Sequence, residues 1–291
     1  MRSGPRIALL LLTAALPLQA LGWRSSYLAG SPLALALAGG GTAWTANGYL
    51  IEINPAHVWG VDGESIGYGY LRMFGNLGGH VLTWQGRLRG RPAQLRLRTL
   101  AEDDIELRGD VPTADPLGTF GARLMEAELS RGWMLGALQV GVSLTVAYQR
   151  IFEYSGRGAW LSAGVLGNLG SRVRWGLAVS HIGVGEGLGS RDLEPQPWRL
   201  QGGAMLKLPS LLGRIGIDVG LDSRSNVLPG VVWETGTGPW QVRLGLRQVA
   251  GEYRLGLGFG LLQDRWRVAY AVSYQGRTLG LPQMIQVSRQ L

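Results

Sequence analysis

Through residues 240–274, apolar and polar positions alternate in three short segments. Trp240, Val242, Leu244 and Leu246 fall on one face of an extended strand, with Gln241, Arg243, Gly245 and Arg247 on the other. Tyr253, Leu255, Leu257, Phe259 and Leu261 then oppose Arg254, Gly256, Gly258 and Gly260, and Trp266, Val268, Tyr270, Val272 and Tyr274 oppose Arg265, Arg267, Ala269, Ala271 and Ser273. Strand side chains point alternately to the two faces, so this period of two predicts β-strands with one bulky apolar face. The other face is arginine, glycine and small residues, too polar for a sandwich core. A barrel with lipid outside and a polar lumen accommodates both faces.

The same alternation predicts strands from Glu64 onward: 65–74, 79–88, 93–100, 118–130, 133–148, 159–166, 172–182, 198–208, 215–222, 227–234, 240–248, 252–262, 265–274 and 281–290. That is an all-β fold, a transmembrane antiparallel β-barrel of about fourteen strands, an even number as single-chain bacterial barrels have. The 228 residues from Glu64 to Leu291 allow about 16 per strand, roughly 10 to span the bilayer and about 6 to connect. The long connections fall at 101–117 and 183–197. Both are external if the chain starts and ends in the periplasm. Trp133, Tyr148, Trp160, Trp198, Trp233, Trp240, Tyr253, Trp266 and Tyr274 lie near strand ends, where barrels carry aromatic girdles.

Upstream the pattern changes. Arg2 and Arg6 precede the apolar run 7–16, and Pro17-Leu18-Gln19-Ala20 supplies a helix break and a small residue for cleavage, so residues 1–20 read as a signal peptide. Residues 21–63 are small residues, glycines and turn formers, among them Gly39-Gly40-Gly41-Thr42-Ala43 and Asn54-Pro55-Ala56. This stretch is too irregular for a lipid-facing strand and is expected inside or beneath the barrel as a plug or hatch, with the barrel proper over 64–291.

Composition narrows the function classes. Glycine supplies 47 of 291 residues, charged residues are 16%, and the mean hydropathy is +0.09, too apolar for disorder. Beyond the leader no run reaches the roughly 18 uncharged apolar residues of a membrane helix, which leaves insertion through strands. There is no cysteine, hence neither a disulfide framework nor a thiolate metal site. The formal charge of +8 becomes +6 without Arg2 and Arg6, and Lys207 is the only lysine. Despite a pI near 10.3, the arginines are spread over strand faces instead of forming a run, which argues against nucleic acid.

Candidate chemistry is sparse. His57, His80 and His181 lack the spacing of a zinc pair. Ser180 and His181 are adjacent on a strand and so should point to opposite faces, which leaves His181 as an interfacial residue rather than half of a catalytic pair. Gly39-Gly40-Gly41 and the glycines at 183, 185 and 187 lack the strand–turn–helix context of a phosphate loop. No catalytic, cofactor or metal site is expected. The lumen is the informative surface: Arg243, Arg247, Arg254, Arg265 and Arg267 face inward by alternation, as do Arg96, Arg98, Arg174 and Arg199, with Asp218 and Asp222 among them. Like charges crowded in a narrow barrel require acidic partners, water or an anionic ligand. Glu52, Asp62 and Glu64 are the acids that the preceding segment offers, and Gly256, Gly258 and Gly260 leave room for its backbone.

The ordered set 34–43 (Ala-Leu-Ala-Leu-Ala-Gly-Gly-Gly-Thr-Ala) and Asn54-Pro55-Ala56, followed near the far end by Gly256-Leu257-Gly258-Phe259-Gly260, Tyr270-Ala271-Val272, Leu279-Gly280 and Ile285-Gln286-Val287-Ser288, resembles the PorV/PorQ family of bacterial outer-membrane barrels, relatives of the fatty-acid transporter FadL. Gly41 stands where that family carries alanine, and the chain closes on Leu291 where such barrels commonly carry an aromatic residue. The resemblance covers both ends and implies a FadL-like barrel with an N-terminal plug, whose motif residues are Gly39, Gly40, Asn54, Pro55 and Ala56. It implies the outer membrane as location and its lipid as partner. Its first functional implication is an accessory role in type IX-like protein secretion or surface attachment, with secretion-machinery or cargo proteins as partners. The alternative is FadL-like transport of a hydrophobic small molecule.

Overall fold

A computed structural model of the chain describes residues 28–45, 48–61, 63–73, 75–108, 114–190, 192–209, 212–275 and 280–291. The expected leader at 1–20 and Asp62 lie outside them. Each predicted strand corresponds to one observed strand: β1 (Ser65–Arg72), β2 (Gly78–Leu88), β3 (Arg91–Leu107), β4 (Gly118–Leu135), β5 (Leu138–Ile151), β6 (Tyr154–Leu169) and β7 (Val173–Glu186). A short β8 (Leu193–Pro195) follows. The chain continues through β9 (Arg199–Lys207), β10 (Arg214–Asp222), β11 (Val227–Thr237), β12 (Trp240–Val249), β13 (Glu252–Gln263), β14 (Trp266–Tyr274) and β15 (Gln283–Gln290).

All neighbours pair antiparallel. β1 meets β15 over eight positions, and β7 meets both β6 and β9, so fourteen strands close on themselves while β8 folds back on the end of β7. Closure leaves no unpaired strand edge in the wall. One end of the barrel carries short turns, such as Arg89-Gly90 with φ of +51° and +77°, which suit a tight hairpin. The other end carries the longer connections. The wall is tall along β3 to β7, where β4 has 18 residues, and low along β9, β10, β15 and β1, which have eight or nine.

The outer surface is apolar. Ile66, Trp84, Leu95, Leu129, Leu144, Leu161 and Ile182 stand directly opposite one another on successive strands, and Ile217, Val231, Leu246, Leu255 and Tyr274 do the same on the far side. Ile217 is 60% exposed and Leu161 51%, which in water would be an aggregation surface and in a bilayer is the required one. Trp240, Tyr253, Trp266 and Tyr274 are exposed near strand ends. Trp160, expected with them, is instead turned into the lumen and buried.

Two expected loops turn out partly stranded. β3 continues through Glu102, Asp103 and Asp104 to Leu107, with a bulge against β4 where Asp104 takes φ +62°. At this height the outer face need not be apolar, so the polar–apolar alternation disappears while backbone pairing persists. The stretch 183–197 likewise contains the end of β7 and all of β8.

The described residues 28–45 and 48–61 lie within the barrel. They form α1 (Pro32–Ala36) and two 3-10 turns, Gly48–Leu50 and Pro55–Gly60. Ser31 caps α1 by accepting from the Ala34 N–H at 3.1 Å, and Pro32 opens it, where a missing N–H costs nothing. Leu33, Leu35, Leu37, Trp44 and Leu50 are buried. They meet an inner wall that is not uniformly polar: Leu71, Val81, Leu100, Leu124 and Met284 point inward and bury against Leu35 and Ala36. Close approach depends on bare backbone at two wall positions. A Cβ at Gly141 would sit 2.1 Å from the Pro55 carbonyl oxygen, and one at Gly256 would sit 2.4 Å from the carbonyls of Leu35 and Ala36. Gly260 serves differently, since its space is taken by the Arg243 guanidinium.

Gly141→Ala should therefore destabilise the protein by about 1–3 kcal/mol through overpacking against rigid backbone. Heat-modifiable gel mobility should show a lower transition temperature, whereas Gly90→Ala, with open space around it, should act only through its left-handed φ.

Candidate functional site

The loop 39–42 is the point where the segment is fastened to the wall. Gly39 and Gly41 take φ of +76° and +96°, a region closed to most side chains, and the second explains glycine rather than alanine at 41. Asp218, on β10, accepts from the Gly41 and Thr42 N–H groups, each at 2.8 Å. Asn54 donates to the Thr42 carbonyl at 2.9 Å and to Val165 in β6 at 3.3 Å, while its oxygen accepts from the Ala56 N–H at 3.0 Å and so caps the following turn. Pro55 opens that turn and Ala56 is fully buried under it. His57 Nε2 lies 3.0 Å from the Gly41 carbonyl, which accepts only if that nitrogen carries the proton. A Cβ on Gly40 would meet Val232 at 2.8 Å and Asp218 at 3.2 Å. Burial holds the His57 imidazole neutral, pushing its pKa down to about 3; the Gly41 hydrogen bond opposes this and Arg174 adds to it.

The charged residues sort into distinct groups. Arg96 bridges Glu52 of the segment at 2.5 Å and Glu128 of β4 at 2.9 Å, and Glu52 also accepts from the Gly30 N–H at 2.8 Å. Arg98 pairs with Glu126 at 2.7 Å and donates to the Leu28 carbonyl. Arg243 binds Glu234 at 2.6 Å, and Arg247 donates to the Gly39 carbonyl. Arg267 lies over the Tyr49 ring at 5.3 Å. Arg254 lines the cavity described below. One residue assigned to the lumen is elsewhere. Arg265 is exposed in the turn between β13 and β14, where the strand and its alternation have ended. Asp222 ends β10 and accepts from Arg224 N, Asn226 N and Asn226 Nδ2, all at 2.9 Å, making it a turn former. Glu64 faces outward and accepts from Trp84 at 2.9 Å.

The acids that match the arginines are thus mainly Glu126, Glu128 and Glu234 of the wall. Their signal was available: Glu126 and Glu128 alternate with Met125, Ala127 and Leu129. Between segment and wall, Glu52 provides the ion pair, to Arg96. Other ties run from wall side chains to segment backbone, as from Asp218, Arg98 and Arg247, and from the segment side chains Asn54 and Trp59 to wall carbonyls.

Above the segment, toward the long-loop end, a cavity is floored by Leu28, Ala29, Leu35, Ala38 and Ile51 and walled by Trp160, His181, Arg199, Arg247 and Arg254. Its room for water-sized molecules is about 70 Å³, on the order of five waters. The wall beside it is irregular. Leu161 pairs with Ile182 but Ala163 pairs with Val179, so Ser162 faces both Ser180 and His181 across a bulge, and His181 takes φ +62°. This breaks the alternation that assigned His181 to the outer interface: it lines the cavity with Ser180, its ring 5.3 Å from that of Trp160.

No protein-family model and no curated protein matches this chain. Solved structures do. The CymD monoaromatic hydrocarbon channel is 13% identical with a TM-score of 0.63, over 90% of this chain and 97% of that one. The deltaS2 mutant of the TodX monoaromatic hydrocarbon channel is 8% identical with a TM-score of 0.66, over 91% and 100%. A Pseudomonas aeruginosa FadL homologue is 10% identical with a TM-score of 0.59, over 89% and 97%. The chain has the FadL-like outer-membrane β-barrel fold.

Asp218→Asn should cost about 2 kcal/mol, because an amide oxygen cannot replace a carboxylate that accepts from two buried N–H groups; thermal unfolding followed by gel mobility measures it. The His57 contribution has a defined sign. With a pKa of about 3 folded against 6.5 unfolded, its stabilisation is complete above pH 6.5 and is lost as pH falls toward 3. The loss is about 1.4 kcal/mol per pH unit. Between pH 6.5 and 5, above most carboxylate titration, His57→Gln should flatten the decline in transition temperature.

Proposed function

We propose that this protein is an outer-membrane channel for small hydrophobic molecules, delivered by the signal peptide expected at 1–20. Its long-loop end then faces the medium and its apolar belt the outer-membrane lipid. The observation that carries this reading is the cavity above the lumen segment: an apolar floor of Leu28, Ala29, Leu35, Ala38 and Ile51 beside the Trp160 indole, inside a barrel whose fold is that of the hydrocarbon channels CymD and TodX. An apolar molecule is recognised there by burial against the apolar floor and the indole.

Room for a few waters does not admit a hydrocarbon, so passage requires residues 28–61 to shift as a plug. The Glu52 cluster is the place for that movement to start. One carboxylate holds Gly30, Ser31 and Arg96 together, so releasing it frees the start of the segment. The resemblance to PorV and PorQ supplies the other reading, an accessory in type IX-like secretion. Its motif residues here fasten the segment to the wall, a task common to both roles, and none of the fold neighbours named above supports secretion. The solute reading is therefore preferred.

Cells expressing the protein should take up a monoaromatic hydrocarbon such as toluene several-fold faster than cells carrying an empty vector, and Trp160→Ala should reduce the gain. Uptake at the vector rate, with secreted proteins copurifying from detergent, would reverse the preference. Glu52→Gln should also loosen the plug, costing about 3 kcal/mol by leaving Arg96 partly unpaired, and should raise ion conductance in planar bilayers above that of the unsubstituted protein.

A further inference from the structure

A second cavity occupies the short-turn end of the lumen, on the opposite side of the segment from the first, with room of about 500 Å³. Its lining is unusual in charge. Lys207 on β9 stands directly opposite Arg214 on β10, Arg214 opposite Glu234 on β11, and Glu234 opposite Arg243 on β12. Arg172 adjoins the same row, its carbonyl accepting from the Lys207 N–H at 2.8 Å, and Arg174 lies two residues deeper along β7. Like charges directly opposite on neighbouring strands repel.

The compensation within the protein is used up. Among the described residues Glu234 is the only acid lining this cavity, and both its oxygens are taken: Oε1 by Arg214 at 3.1 Å and Oε2 by Arg243 at 2.6 Å. That leaves Arg172, Arg174 and Lys207 facing the space with no carboxylate among the described residues. Arg174 donates one N–H to Gln139, while its Nε is buried with no partner among the described residues. The first 27 residues of the sequence contain neither Asp nor Glu.

We propose that this mouth is a binding site for a small oxyanion, a phosphate- or carboxylate-bearing molecule. Two guanidinium groups and an ammonium supply the donors such a group requires, and guanidinium forks match oxyanion geometry in particular. Thr45 and Ser171 add hydroxyl groups, and Met205 offers a contact for an organic body. The site is separated from the hydrophobic cavity by the lumen segment and does not depend on hydrocarbon passage.

Because Lys207 is the only lysine, its reaction with an amine-directed acylating reagent, located by peptide mass spectrometry, reports on this site in the full-length protein in detergent. Inorganic phosphate at ten times its Kd should slow acylation of Lys207 about tenfold relative to chloride at equal ionic strength, by occupancy alone. Glycerol phosphate and succinate then separate the two sources; protection by either supports the site. Arg174→Gln should abolish protection, read as the ratio of the rates in phosphate and in chloride for that variant, whereas Arg123→Gln, exposed at the long-loop end, should leave protection intact. Equal rates in phosphate, succinate and chloride in the unsubstituted protein would overturn the proposal. So would protection that survives Arg174→Gln, or protection only by an acidic polypeptide.

Discussion

A backbone that is neither helix nor sheet can lie inside a barrel only if its N–H and C=O groups find partners there. The loop 39–42 meets that condition through side chains brought from three places. Asp218 takes two N–H groups from the wall side, Arg247 supplies the Gly39 carbonyl, and Asn54 and His57 supply the carbonyls of Thr42 and Gly41 from within the segment. Removing Asp218 leaves two buried N–H groups without that acceptor, a larger penalty than the net value of the bonds themselves. The glycine run and the Asn-Pro-Ala turn are two halves of one fastening.

This accounts for the distribution of the arginines. A short segment with few acids cannot neutralise a lumen full of guanidinium groups, but its irregular backbone has many carbonyls to offer. Arg98 and Arg247 bond the segment through carbonyls, while Arg98, Arg96 and Arg243 find their carboxylates chiefly on β4 and β11. Carboxylates thereby serve Arg96, Arg98 and Arg243, while Arg247 bonds the Gly39 carbonyl instead. At the short-turn mouth the row from β7 to β12 carries one acid for several cations.

The bulge between β6 and β7 has a comparable reach. By inserting one residue it turns His181 inward beside Ser180 and sets it over Trp160. The same wall beside the bulge is covered on its other edge by β8 instead of β9, which stops at Arg199. The cavity is thus bordered by the least regular part of an otherwise regular barrel.

Alternation over a lipid-facing wall was legible from residues alone, because the bilayer imposes one rule on every strand: bulk outward at each second position. It determined the number and order of the strands and the outward direction of Leu244, Leu255 and Ile285. It failed where the rule lapses, at the turn that holds Arg265, above the bilayer at 102–107, and at the bulge that redirects His181. Which charges meet was decided only by tertiary structure. Asp218 reaches a loop 176 residues away, and Arg247 a carbonyl 208 residues away. Such meetings depend on strand stagger and on where the segment rests, and a period of two carries no information about either.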